Sequence, residues 1–202
     1  MRAILKTIIW GLGVLAMTAC SPSELEPIEY VNWMEDPENE VCQIYSQNEL
    51  SLECQYMTPE YSALSHSDPN NIDVQWIESQ SNQLSDIQQF RLRFKRDGQS
   101  NFLRDDYTTN LEYNSKTLYL GYEIQHDLML IQNDDTLPCI MNHHERTYGN
   151  TPYETLLVAF EGSTVSGDTE MDLILNDRVL GFGRVKFHYD QSLLVSLPEL
   201  KL

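Results

Sequence analysis

Among the side chains able to do chemistry, His143-His144-Glu145 form the densest run of metal-ligating groups in the chain. Imidazole nitrogen beside carboxylate oxygen suits a divalent ion such as zinc, and His126 or His188 could add a further nitrogen. Neighbours in a strand point to opposite faces, so two adjacent histidines on a strand do not chelate one ion. The H-E-x-x-H spacing and paired C-x-x-C motifs are absent. His143 and His144 are candidate metal ligands if a loop turns them together; otherwise they make local polar contacts with Glu145 and Arg146. No spacing in the chain requires a metal or other cofactor. Asp68-Pro69-Asn70-Asn71-Ile72-Asp73 opens like a calcium loop, but Ile72 holds the fifth position and Ser79 replaces the bidentate glutamate. It reads as a turn with Asx chemistry. Gly162-Ser163-Thr164-Val165-Ser166-Gly167 lacks the G-x-S-x-G spacing of a nucleophile elbow. The 31 acidic residues offer many carboxylate pairs, but the roughly 5–10 Å separation that glycoside hydrolysis needs is a tertiary property.

Thiols are the second candidate chemistry. Cys42 and Cys54 flank CQIYSQNELSLEC, which reads as two short strands around Gln47-Asn48-Glu49. Pairing about Asn48 sets Ile44 opposite Leu52 and Cys42 opposite Cys54, within disulfide range if that register holds. The alternative is two buried free thiols. Cys139 follows Pro138 in an apolar context and reads as a small buried hydrophobe. No activating base stands near it in sequence, so a catalytic thiol is not indicated.

The fourth cysteine has a different setting. Arg2 and Lys6 precede the apolar run IIWGLGVLAM, which is too short for the roughly 20 residues of a spanning helix and suits a signal-peptide core. Met17-Thr18-Ala19-Cys20 then resembles the lipobox of bacterial lipoproteins, with Met17 where leucine is commoner. That resemblance implies cleavage before Cys20, acylation of its thiol, and attachment to a membrane through several acyl chains, since one chain alone binds only marginally. Ser21 is not the aspartate that commonly retains lipoproteins at the inner membrane, so an outer-membrane lipoprotein is expected, facing either the periplasm or the cell surface. The expected organisation is a signal peptide over 1–19, a lipidated tether over 20–28 and a single β-rich domain over 29–202.

Charge restricts the partners. Thirteen Lys and Arg stand against 31 Asp and Glu, a formal charge of −18 at pH 7, and loss of Arg2 and Lys6 with the signal would deepen it. Such a chain repels phosphate backbones and carries no basic stripe, so nucleic acid is not an expected partner.

The elements that must position these groups read mainly as strands. Phe90-Arg91-Leu92-Arg93-Phe94-Lys95 alternates apolar and basic residues, the pattern of a half-buried strand. Segments 118–124, 128–131, 136–140, 171–175 and 184–189 read as further strands, and TLLVAF over 155–160 as a core strand. Helical pieces are expected at 30–34, at 105–114 and after Asp190, an N-cap residue. The pattern predicts a mainly β domain, a sandwich or barrel with short helical inserts.

YVNWMEDPEN, TLPCIMNHHERTYGNTPYETLLVAF and LILNDRVLGFGRVKFHYDQSLLVSLPELKL resemble an uncharacterised lipoprotein family of Gram-negative bacteria. The resemblance implies an extracytoplasmic lipoprotein with no catalytic residues to carry over. Cys42 and Cys54 stand in stretches where aliphatic residues would be expected in that family. The leading functional expectation is a membrane-anchored binding or interaction module of the cell envelope, with an envelope protein or other macromolecule as its partner. The alternatives are an enzyme that processes envelope or extracellular polymers and a metal-binding lipoprotein using His143 or His144.

Overall fold

The computed structural model describes residues 24–68, 71–104, 108–148, 150–163 and 165–202. Eight strands form one antiparallel sheet in the order β2 (Cys42–Gln47), β3 (Leu50–Met57), β4 (Ile87–Arg96), β7 (Tyr153–Glu161), β6 (Asp135–Glu145), β5 (Leu128–Gln132), β8 (Met171–Asn176) and β9 (Arg184–Tyr189). The sheet curls until its two edges almost meet. Gln43 on β2 donates to the His188 carbonyl on β9 at 2.7 Å, and the Tyr189 hydroxyl donates to the Cys54 carbonyl at 3.1 Å. The domain is mainly β, a nearly closed barrel with a few short helices.

Strict alternation builds the interior. On β4, Gln88, Phe90, Leu92 and Phe94 face in while Arg91, Arg93 and Lys95 face out, and β9 turns Val185, Phe187 and Tyr189 inward. Phe90 sits at the centre of an aromatic cluster, 5.4 Å from the ring of Tyr56, 5.6 Å from Tyr189 and 6.0 Å from Phe160. Offset and edge-on contacts of this kind add to the burial of the rings.

β6 departs from this alternation. Its first half pairs with β5 as far as Pro138 and its second half pairs with β7 from Cys139, with a register shift between Cys139 and Met141. Pro138 stands where the strand changes partner, a place that tolerates a missing backbone N–H. Before the shift Leu137 and Cys139 pack on the core; after it Asn142 and His144 turn inward and Ile140 is left exposed. One extra residue has exchanged the faces, as a β-bulge does.

The helices lie at the barrel ends and over one outer face. α1 (Pro27–Glu35) starts with proline in its first turn; α2 (Pro59–Ser65) is capped by the Thr58 hydroxyl and α3 (Val74–Gln83) by the Asp73 carboxylate. α4 (Asn110–Leu118) opens with a capping box of Thr109 and Glu112. The helix expected at 105–114 thus lies a few residues later, and 105–107 are outside the described residues. Segment 118–124, expected as a strand, is instead the end of α4 followed by a π turn over Tyr119–Glu123. Its buried side chains, Tyr119, Leu120 and Ile124, fall on one helical face. Asn142 donates to the Leu120 and Gly121 carbonyls and ties the turn to β6. α5 (Gln191–Val195) is capped by Asp190, as expected from its sequence.

A small parallel pair of β1 (Glu24–Leu25) with β10 (Glu199–Leu200) joins the first described residues to the C-terminus. Residues 24–28, read from the sequence as tether, therefore form β1 and the beginning of α1.

Candidate functional site

Cys20, the expected lipidation site, lies outside the described residues. Cys42, Cys54 and Cys139 are all free. The β2–β3 hairpin turns on Asn48 and Glu49, and its register pairs Cys42 with Gln55 and Cys54 with Gln43. That register is one residue away from the expected pairing, so the two thiols point to opposite faces of the hairpin. Asn48 takes the left-handed backbone that such a turn requires and that asparagine tolerates. Cys54 is fully buried against Tyr189, and burial pushes its thiol well above its ordinary value. Cys42 lies on the outer face near Glu53, and partial burial raises it to about 11. Burial likewise raises Cys139, whose Sγ is 3.1 Å from the Met141 carbonyl.

His143 and His144 separate as neighbours in a strand do. His143 is exposed, whereas His144 lies opposite Leu156 on the inner face. Its Nε2 is 2.7 Å from Glu154 Oε2, with 3% and 4% of the two side chains exposed. The second Glu154 oxygen accepts from the Thr147 hydroxyl at 3.2 Å. His144 Nδ1 is buried with no hydrogen-bond partner. A chamber of about 160 Å³ adjoins the pair, with Leu103, Tyr113, Thr117 and Arg146 among its walls. Among the described residues no group of three or more His, Cys, Asp or Glu side chains is arranged to hold a metal ion.

A larger concavity lies at the other end of the barrel. It encloses about 510 Å³ between Tyr56 and Gln88 at the barrel mouth, Ser81 of α3 and Leu200 of β10, a volume within the range of small-molecule sites. Its polar groups are held in place. The Tyr56 hydroxyl donates to Gln88 Oε1 at 3.0 Å, and Gln88 donates to the Ser163 carbonyl at 2.8 Å. Gln132 grips the same residue from the opposite side, donating to the Ser163 carbonyl and accepting from its N–H. Tyr30 and Thr58 share a hydroxyl hydrogen bond of 2.7 Å. Burial raises both tyrosines well above their ordinary value, so each keeps its proton at physiological pH. Ser81 Oγ, buried without a partner, completes the set. Leu197, Leu200, Ile87 and Val165 give the cavity an apolar side. This combination is suited to hydrogen-bonding a ligand that carries an apolar body.

Sequence reasoning missed the residues of the end cavity because they come from separate segments between Tyr30 and Leu200. For Glu154 a signal existed: it shares its parity with Leu156, Val158 and Phe160, so a core strand through TLLVAF carries it inward. The sequence matches no protein-family profile and no curated protein. A DUF4426 family protein from Pseudomonas aeruginosa PAO1, a Gram-negative bacterium, is a structural neighbour at 8% identity and a TM-score of 0.34, over 74% of this chain and 92% of that one. A likeness that loose assigns neither family nor function.

Proposed function

We propose that this chain is a binding protein of the cell envelope, held at the outer membrane by acyl chains on Cys20, and that its ligand enters the cavity between Tyr56, Ser81 and Leu200. The observation that supports this reading is the position of the cavity relative to the N-terminus. β10 supplies part of the cavity wall and pairs with β1, whose first residue, Glu24, is four positions beyond Cys20. Four residues reach at most about 14 Å. A lipid on Cys20 therefore keeps this end of the barrel close to the bilayer surface, and the opposite end faces away. Hydroxyls and amides set against leucine and isoleucine suit an amphiphile met at that surface.

The first test is the anchor. Mass spectrometry of the N-terminal peptide from membrane-extracted protein is expected to show acylated Cys20, and Cys20→Ala to move the protein out of the membrane fraction. An unmodified Cys20, with membrane association unchanged in Cys20→Ala, would refute the proposal. A second reading, acid–base catalysis, is favoured by one observation, the buried His144–Glu154 pair beside its chamber. It requires turnover of an envelope polymer that is lost in His144→Gln.

A further inference from the structure

The outer face of β4 presents Arg91 and Arg93, alternate residues on one side of a strand and so about 7 Å apart. They floor a groove of about 410 Å³ between the end of α2, where His66 and Ser65 stand, and the segment carrying Thr151 and Tyr153. Both arginine Nε atoms are buried with no hydrogen-bond partner. Arg93 has one carboxylate in contact, Glu53 at 3.0 Å, and lies 5.2 Å from the centre of the Tyr153 ring. Arg91 is held more loosely, 3.4 Å from the Tyr61 hydroxyl and 3.9 Å from Glu35, although only 14% of its side chain is exposed.

A guanidinium drawn partly out of water with its donors incompletely paired is costly, and an anion delivered from outside to the remaining donors relieves part of that cost. We infer that this groove binds a ligand through a single carboxylate, with Arg91 as its principal partner and Arg93 beside it. A planar carboxylate matches the fork of the guanidinium. Glu145 lines the groove and Glu53 occupies Arg93, so a multiply charged anion meets repulsion that a lone carboxylate largely escapes. Leu157, Met57 and Tyr153 offer an apolar surface for the body of the ligand. The site is separate from the end cavity and does not depend on its function.

The test is a titration of the full-length protein in detergent, following the arginine Nε–H signals by NMR. N-acetylphenylalanine, N-acetylphenylalanine amide and inorganic phosphate are added in separate arms at 0.15 M salt. The carboxylate is expected to shift the Arg91 and Arg93 signals saturably and to bind about tenfold more tightly than the amide or phosphate. Arg91→Lys, which keeps the charge and loses the fork, is expected to weaken it about tenfold with the thermal midpoint unchanged. Equal binding of acid and amide, tighter binding of phosphate, or no saturable shift from the carboxylate would overturn the inference.

Discussion

Replacing Glu154 with alanine should be among the most damaging single changes in the barrel. The carboxylate accepts from His144 Nε2 at 2.7 Å and from the Thr147 hydroxyl at 3.2 Å, and its side chain is 4% exposed. Its removal loses a bond to a group that can carry charge, about 1.5–3 kcal/mol, and a neutral one, about 0.5–1.5 kcal/mol. The one buried methylene removed adds about 0.8 kcal/mol, while relief from desolvating the carboxylate offsets part of the loss. His144, already without a partner at Nδ1, then loses its partner at Nε2 as well. A net loss of about 3–4 kcal/mol follows, within the range for breaking one half of a buried pair. Glu154→Gln keeps an acceptor and should cost about 1 kcal/mol. The double replacement His144→Leu with Glu154→Leu should recover most of the loss, because neither polar group is left stranded. Urea unfolding of the full-length protein, followed by far-UV circular dichroism, measures all of these. A loss below about 1 kcal/mol for Glu154→Ala, with no recovery in the double variant, would refute the reasoning.

Two further outcomes follow from the packing. A methyl group added at Gly162 would run into Gln132 Oε1 and crowd Gln88. Gly162→Ala should therefore cost about 1–3 kcal/mol and loosen the floor of the end cavity, with a lower urea midpoint as the readout. Burial raises Cys54 above its ordinary value near 9, and Tyr30, Tyr56 and Tyr189 above theirs near 10. The unfolded chain releases these protons first as pH rises, so the stabilisation they carry is complete below about pH 9 and lost above it. The urea midpoint should be insensitive to these groups between pH 7 and 8.5 and should fall from about pH 9 upward; a midpoint that stays level to pH 11 would contradict the burial of these groups.

The fold was legible where burial alternates with the strand period. Phe90, Leu92 and Phe94 set one face of β4 from their spacing alone, and the Asp190 cap could be read locally. Two readings failed for reasons of geometry. Leu118 to Ile124 contains enough apolar residues for a strand, but Leu120 and Ile124, four apart, are both buried in a helical turn. The Cys42–Cys54 register turned on whether the hairpin turn held two residues or three, and the left-handed Asn48 made it two. For the candidate sites the limits are stricter. His144 faces inward only because the strand slips between Cys139 and Met141, and no local residue pattern counts that extra position. The end cavity joins α1, α3, β3, β4 and β10, so it exists only once the chain has folded. The arginines of β4 were visible as outward-facing, but the loose pairing of Arg91 was not.

Photocrosslinking in intact cells is the most direct test of a ligand in the end cavity. Benzoylphenylalanine is placed at Ser85 on the wall of the end cavity, or at Gln99 beyond β4 at the far end of the barrel. The membrane-facing binding role predicts a discrete low-mass adduct of an amphiphile at Ser85, absent from Gln99 and lost when Cys20→Ala frees the protein from the membrane. No adduct at Ser85, or the same adducts at both positions, would contradict it.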